Sequence, residues 1–385
     1  MNNNRRLRWQ LVKRRPLSQA KVLLLYLLAI FTALLLGALL LLAIGHNPLI
    51  VYKQILTGSL ATPTAFKETI KITIPLLLCG IAVAISFKLK FWNIGAEGQI
   101  LFGATAAMIA PIYLPNLPST LKLILMAVLA IVAGGLYALI PAFFKVRWGT
   151  NETLFTLMLN YIALQLLRFL QYQETWQDIG TKFPKIRPLG DSEVLPRLFG
   201  VQIGWVIALV LAVFFYIYLK RSKHGFEIAI VGDSINTAKY SGMNVKTIIM
   251  RTIFISGAVS GLVGYLNVAG TDYALTESTA GGVGFMAITV AWLAALNPLG
   301  MIPVAFGLSI LQKGSLSIQS TLGIPASAAN LLSGLILFSV LGSEFFRNYQ
   351  LRLRRNTETG SSGKGDFKAE TEHLPYQKEA RDGLN

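Results

Sequence analysis

The sequence predicts an all-α polytopic membrane protein with about ten transmembrane helices. Three observations carry that prediction. Only 14% of the 385 residues are charged and 54% are hydrophobic, whereas a soluble domain carries about 25% charged residues. The hydrophobic residues gather into runs long enough to cross a hydrocarbon core of roughly 30 Å. The formal charge of +17 resides in basic residues that flank those runs and form no single basic face. That distribution points to a lipid bilayer and argues against a nucleic-acid partner.

In chain order, residues 1–21 form a polar, basic N-terminal arm. The run Val22–Ile44 exceeds a signal-peptide core and is followed by no small-residue cleavage site, so it reads as a retained first helix. After a loop at Asn47-Pro48, a second helix spans about Ile70–Phe87 and ends at Lys88 and Lys90. The third begins in the glycine-rich turn after Phe91, and Pro111, Pro115 and Pro118 mark the turn beyond it. Helices follow at about Leu121–Phe144, Thr153–Leu170 and Ile203–Leu219, with a polar, proline-bearing loop over 174–202 between the last two. A seventh runs over about Thr252–Val268. Gly281–Leu296, Pro298–Leu311 and Pro325–Phe346 complete the set, the first two of them short and interrupted. The membrane-embedded span is thus 22–346, and the charged, aperiodic tail 347–385 reads as disordered.

Ten crossings place both termini on one side. About 25 of the 35 Lys and Arg residues lie on that side, in the two tails, at Lys88/Lys90 and Lys145/Arg147, and in the loop 220–251. The positive-inside rule makes that side the cytoplasm, for a multi-pass protein of the cell membrane.

The loop 220–251 is the most organised polar stretch. Asp233 or Ser234 can cap a short helix over Ile235–Ser241, and Gly242 suits the left-handed residue that ends it. Asn244 opens a second short segment. Compact amphipathic helices in the largest interior cytoplasmic loop suit a soluble partner; a solvated connector is the alternative.

Polar groups inside apolar runs are costly and need partners. Glu152, Thr156 and Asn160, at i, i+4 and i+8, share one helical face. They serve either as bonds between helices or as the lining of a solute path. Asn93, Glu97 and Gln99 combine carboxamides and a carboxylate with Gly95 and Gly98, which permit close backbone approach. Gly257 and Gly261 form a GxxxG pair that close helix packing explains without any ligand.

Several chemistries lack their residues. Cys79 is the sole cysteine, and His46, His224 and His373 are scattered, so no metal site is expected. There is no GxxxxGK[ST], HExxH or GxSxG, and the tail's GSSGKG lacks P-loop spacing. No ATP-binding motif, catalytic constellation or cofactor is therefore expected.

Four segments in register resemble one family. FWNIGAEGQILFGA, NETLFTLMLNYIA, the loop-and-helix stretch from Gly225 to Gly264, and GGVGFMAITVAWLAALNPLG are similar to the signatures of ABC-importer permeases of the nucleoside and simple-sugar type. They cover roughly Phe91 to Gly300. The chain departs from the pattern at Ile228, where arginine is usual, at Lys239, and at Trp292 and Ala295, which replace leucine and glycine. The resemblance implies a type II-like permease fold that forms a solute pathway with a second permease subunit, itself a different chain. A cytoplasmic ABC ATPase and an extracytoplasmic substrate-binding lipoprotein complete the assembly. It implies Gly225, Ser234, Ala238, Tyr240 and Gly242 as the ATPase-coupling residues, with Asn93, Glu97, Gln99, Glu152, Thr156 and Asn160 along the pathway of a small solute. Simple sugars are the alternative to nucleosides. An ion-coupled secondary transporter would have to enlist Glu97 or Glu152.

Overall fold

The apolar runs fold as helices in the computed structural model of the chain, which describes residues 7–13, 18–178, 184–325, separate stretches within 327–343, and 349–355. Twelve helices are named here: α1 Gln19–Ala43, α2 Pro48–Leu60, α3 Pro63–Lys88, α4 Ala96–Tyr113, α5 Ser119–Trp148, α6 Glu152–Gln171, α7 Gly204–Arg221, α8 Lys223–Asp233, α9 Ile235–Tyr240, α10 Val245–Asn267, α11 Val283–Leu293 and α12 Pro298–Leu322. Among the described residues six are long and apolar enough to cross a membrane, or up to seven if the broken pair Phe31–Ala43 and Pro48–Leu60 is one span. The expected ten is a looser count: α11 has 11 residues, and the last expected helix falls partly outside the described residues.

The chain divides into two units, Met1–Ile50 with Ser327–Asn385, and Val51–Ala326. In the first, α1 is joined by an antiparallel ladder of β1 (Leu7–Lys13) and β4 (Tyr349–Arg355), in register from Leu7↔Arg355 to Lys13↔Tyr349. This ladder lies within the arm and the tail, to which the sequence reading gave no regular structure. Apolar and polar residues alternate over Leu7–Leu11 and Tyr349–Arg354, a period of two that a search for long apolar runs passes over.

The second unit is built around α3. Its residues from Thr73 to Phe87 are buried without interruption, so the helix is apolar all round and belongs at the centre. α4, α5 and α10 pack together beside it through glycine. A methyl group added at Gly134 would lie 2.6 Å from the Gly261 Cα, and one at Gly103 would overlap the same backbone. The GxxxG reading of Gly257 and Gly261 is therefore correct: backbone meets backbone there, at a distance larger side chains forbid.

Three segments differ from expectation. α2 lies in what reads as a loop, because Lys53, Gln54 and Thr57 interrupt its apolar residues and only Val51, Ile55 and Ser59, at fourfold spacing, are buried. α10 begins at Val245, with the Asn244 Oδ1 accepting from Thr247 N at 3.2 Å. Asn244 therefore caps a long helix and opens no short segment. α12 continues eleven residues past Leu311, through polar Gln312 and Lys313, to the left-handed Gly323.

The polar loop 174–202 is ordered over its described parts. β2 (Arg197–Leu198) and β3 (Val201–Gln202) form a hairpin, and Leu189 N and Leu195 N donate to the carbonyls of Tyr273 and Ala269. Buried Glu193 accepts from Lys122 Nζ at 3.1 Å.

Candidate functional site

Two sites emerge, a buried junction of amides and an exposed pair of short helices. The junction forms where the chain leaves α3 and enters α4. Asn93 and Gln99, both buried, exchange two side-chain hydrogen bonds of 3.3 and 3.1 Å. The Asn93 Oδ1 also accepts from Gly95 N at 3.0 Å, which shapes the turn. Ser256 of α10 stands 3.5 Å from Asn93 Nδ2 and donates to the Ala82 carbonyl of α3.

The face of α6 closes the junction. Thr156 Oγ1 accepts from Ile94 N at 3.2 Å. Asn160 accepts from Gly98 N at 2.8 Å and donates to the Ile94 carbonyl at 3.0 Å. The first N–H groups of a helix have no partner within it, and here Asn160 supplies one for α4. The glycines permit the approach: a methyl group at Gly98 would lie 2.9 Å from the Asn160 Cα. Glu97 points elsewhere. Its two oxygens accept from Gly282 N and Gly284 N, each at 2.7 Å. A carboxylate thus sits at the N-terminus of α11, where the helix dipole favours negative charge. Glu152 is apart from all of these, paired with Lys145 of α5 at 2.8 Å. The structure therefore brings Asn93, Gln99, Thr156 and Asn160 into one cluster and leaves Glu97 and Glu152 outside it.

The second site is the loop between α7 and α10. It holds two helices, and α8 is the one the sequence reading missed. Gly225 lets α8 start against the end of α7, since a methyl group there would stand 2.5 Å from the Tyr218 and Leu219 carbonyls. Gly232 similarly meets the Lys88 carbonyl of α3. Ser234 caps α9 by accepting from Thr237 N at 3.3 Å. At the other end Met243 N donates to the Ala238 carbonyl and Gly242 N to that of Lys239, with Gly242 at φ +73°. That pair of bonds is a Schellman cap. Ala238 is fully buried, whereas Tyr240 is 92% exposed and Ile235 44%.

His224, which looked isolated in sequence, ties this loop together. It is buried, with Nδ1 3.2 Å from Glu227 and Nε2 3.1 Å from Thr252 of α10. Only the spacing 224/227 on one helix hinted at the first contact, and nothing in sequence hinted at the second. The departures from the family pattern also find places. Ile228 is buried in α8. Trp292 stacks on Trp92, with ring centroids 5.9 Å apart, beside a cleft of about 480 Å³ that Lys88 and Gly232 also line.

Comparison with known proteins agrees with this architecture. A family model described as a branched-chain amino acid transport system permease component matches residues 67–341. The chain belongs to this permease family. It is 32% identical over 339 residues to a guanosine ABC transporter permease protein of Bacillus subtilis, covering 86% of this chain and 97% of that one. A glucose ABC transporter permease protein of Haloferax volcanii is 28% identical, with 88% and 93% covered. A nucleoside ABC transporter permease protein of Lactococcus lactis subsp. cremoris is 28% identical, with 82% and 89% covered. This family member is accordingly a multi-pass permease subunit of an ABC importer, and four segments quoted from its sequence lie inside the matched range.

Proposed function

We propose that this permease carries nucleosides across the cell membrane, with both termini and the α8–α9 loop on the cytoplasmic side. The observation that carries the coupling part of this reading is α9: a capped six-residue helix that buries Ala238 and presents Tyr240 and Ile235 outward. Apolar side chains projecting from a polar loop suit a groove on a soluble partner. That partner is an ABC ATPase, and Gly225, Ser234, Ala238, Tyr240 and Gly242 hold the docking shape. ATP-driven movement of the ATPases shifts α9, and α10, which is continuous with the loop, carries the shift into the membrane. A second permease chain and an extracytoplasmic binding lipoprotein complete the importer.

The nucleoside assignment rests on the guanosine and nucleoside relatives, with glucose as the competing solute. For the junction residues Asn93, Gln99, Thr156 and Asn160, the hydrogen bonds support a framing role in which they hold the wall of the pathway in shape. Glu97 frames α11 in the same way, and Glu152 fixes α6 to α5. The ion-coupled alternative is disfavoured, because both oxygens of Glu97 are already engaged by backbone amides.

The test is uptake of labelled guanosine into proteoliposomes holding the purified assembly. Expected results are copurification of an ATPase, dependence on ATP, and persistence of uptake when the proton gradient is dissipated. Uptake that follows the proton gradient and ignores ATP would overturn the coupling. ATP-driven uptake of glucose that guanosine does not compete with would overturn the substrate.

A further inference from the structure

The second half of α12 carries polar residues where an apolar helix would be expected. Gln312, Lys313, Leu316, Gln319 and Ser320 stand at i, i+1, i+4, i+7 and i+8, and so share one face. Leu316 is 57% exposed, Gln319 and Ser320 are exposed, and Gln312 and Lys313 are half-exposed. The opposite face is covered: Gln54 of α2 donates to Ser317 at 3.0 Å, and Gly314 lies against Ile55.

Depth makes this face unusual. The start of α12 lies at the same end of the molecule as the coupling loop, since Leu296 and Gly232 line one cleft. Lys313 is fifteen residues on from Pro298, about 22 Å along the helix at 1.5 Å per residue. That places it near the middle of a span. Among the described residues Lys313 has no ion pair and no hydrogen bond, whereas the Gln312 carboxamide is turned inward, its Nε2 donating to the Met286 Sδ at 3.0 Å and its Oε1 buried. A lysine facing lipid at that depth would be costly, and exposed Gln319, six residues and about 9 Å further on, adds a second polar group to the same face. Elsewhere the molecule shows what its lipid-ready surface looks like. The exposed stripe of α5 reads Leu121, Ile124, Val128, Val132, Leu136 and Ile140, without a polar group.

We propose that this face of α12 is a wall of the solute pathway, with Lys313 and Gln319 as the groups that meet the solute. The inference rests on the permease reading and adds the residues that the amide junction does not supply. A nucleoside offers hydroxyl and carbonyl oxygens to the lysine ammonium and both donors and acceptors to the Gln319 carboxamide. One fixed positive charge at the waist of the path also repels cations, which keeps a neutral-solute pathway from leaking them.

The test uses the assembled importer in proteoliposomes, in a Cys79→Ala background. Leu316→Cys, Gln319→Cys and Ser320→Cys are treated with a charged, membrane-impermeant thiol reagent, and Val128→Cys of α5 serves as the lipid-facing reference. Expected are labelling of the three α12 positions, protection or a changed rate during ATP-driven turnover with guanosine, and no labelling at Val128→Cys. Lys313→Gln should insert and assemble normally while lowering uptake about fivefold, the effect of losing one polar contact. α12 positions as unreactive as Val128→Cys would mean a dry subunit interface or lipid, and would overturn the proposal. Labelling that turnover and solute leave unchanged would mean bulk water and would overturn it too. So would full uptake by both Lys313→Gln and Lys313→Leu. If guanosine is not carried at all, the substrate reading fails separately, and labelling that responds to ATP turnover still decides whether the face lines a gated path.

Discussion

The amide junction and the α8–α9 loop both match segments that resemble permease signatures, yet they dispose of their polar and apolar groups in opposite ways. In the junction every carboxamide is turned inward. Asn93, Gln99 and Asn160 satisfy each other, an adjacent backbone or the start of α4. In the loop the backbone is closed by caps at Ser222, Ser234 and Asn244, and the large side chains of α9 are left outside. A site whose bonds are all internal supports a shape. A site that is rigid but turned outward is available to a partner. Recurrence of a motif therefore does not say which of the two it is; the direction of the hydrogen bonds does.

The sharpest way to break this comparison is to open the junction. Asn160→Leu removes the partners of Gly98 N and the Ile94 carbonyl together, at roughly 1–3 kcal/mol for each buried group. We expect a large fall in thermal stability of the detergent-solubilised protein. Asn160→Asp keeps the acceptor for Gly98 N and loses the donor to Ile94, so it should fall between the two. If Asn160→Leu melts like the parent but transports poorly, the residue meets solute and the framing role is wrong.

The loop should respond differently. Gly242→Val places a β-branched residue at φ +73°, where an L side chain costs roughly 1–2 kcal/mol. Global stability should drop only by that amount, because nothing lies within 4 Å of the added carbon. ATP hydrolysis and uptake should come apart. Stimulated ATPase activity with undiminished uptake per ATP would make α9 a mere connector.

A smaller change tests the same cap at a second place. The end of α11 repeats the α9 pattern, with Leu296 N donating to the Ala291 carbonyl and Ala295 N to that of Trp292. Two consecutive non-glycine residues are left-handed there, Ala295 at φ +49° and Leu296 at φ +57°, and at the first of them the family pattern has glycine. Ala295→Gly should raise the melting temperature, by an amount corresponding to about 1 kcal/mol. An unchanged or lower value would mean that the alanine methyl makes compensating contacts.

These elements also show what could be read from sequence. Long apolar runs, glycine pairs and the Ser234/Gly242 caps have local signatures, and among the described residues the structure has them where those signatures lie. The polar set 93, 99, 156 and 160 was legible as residues needing partners, but not as one cluster, because the pairing of the 94–98 turn with the 156/160 face spans some sixty positions of chain. α2 and the far half of α12 escaped because their polar faces break the apolar run, although the period of 3.6 is intact. The contact of His224 with Thr252 depends on how α8 folds back on α10, which no local pattern encodes.

That histidine gives the last and smallest contrast. The junction contains only Asn, Gln, Thr and Ser, so nothing in it titrates, whereas the tie between α8 and α10 does. Burial pushes the His224 imidazole below its ordinary value of 6.5, and Arg251 pushes it the same way, against the pull of the Glu227 carboxylate. The native state therefore holds His224 neutral over a range where the unfolded chain has already protonated it. In that range the unfolded state binds more protons, so stability falls as pH drops below about 6.5 and levels off once the native imidazole is itself charged. Limited proteolysis of the loop, followed between pH 7.5 and 5, should show faster cleavage near α8 as the pH falls, while the cleavage pattern around α4 and α6 stays constant. His224→Gln keeps a polar side chain and removes the titration, so its loop should be cut at a rate that no longer depends on pH. Equal acid sensitivity in the parent and in His224→Gln would assign the effect to other groups and remove the distinction between a titratable tie in the loop and a neutral one in the junction.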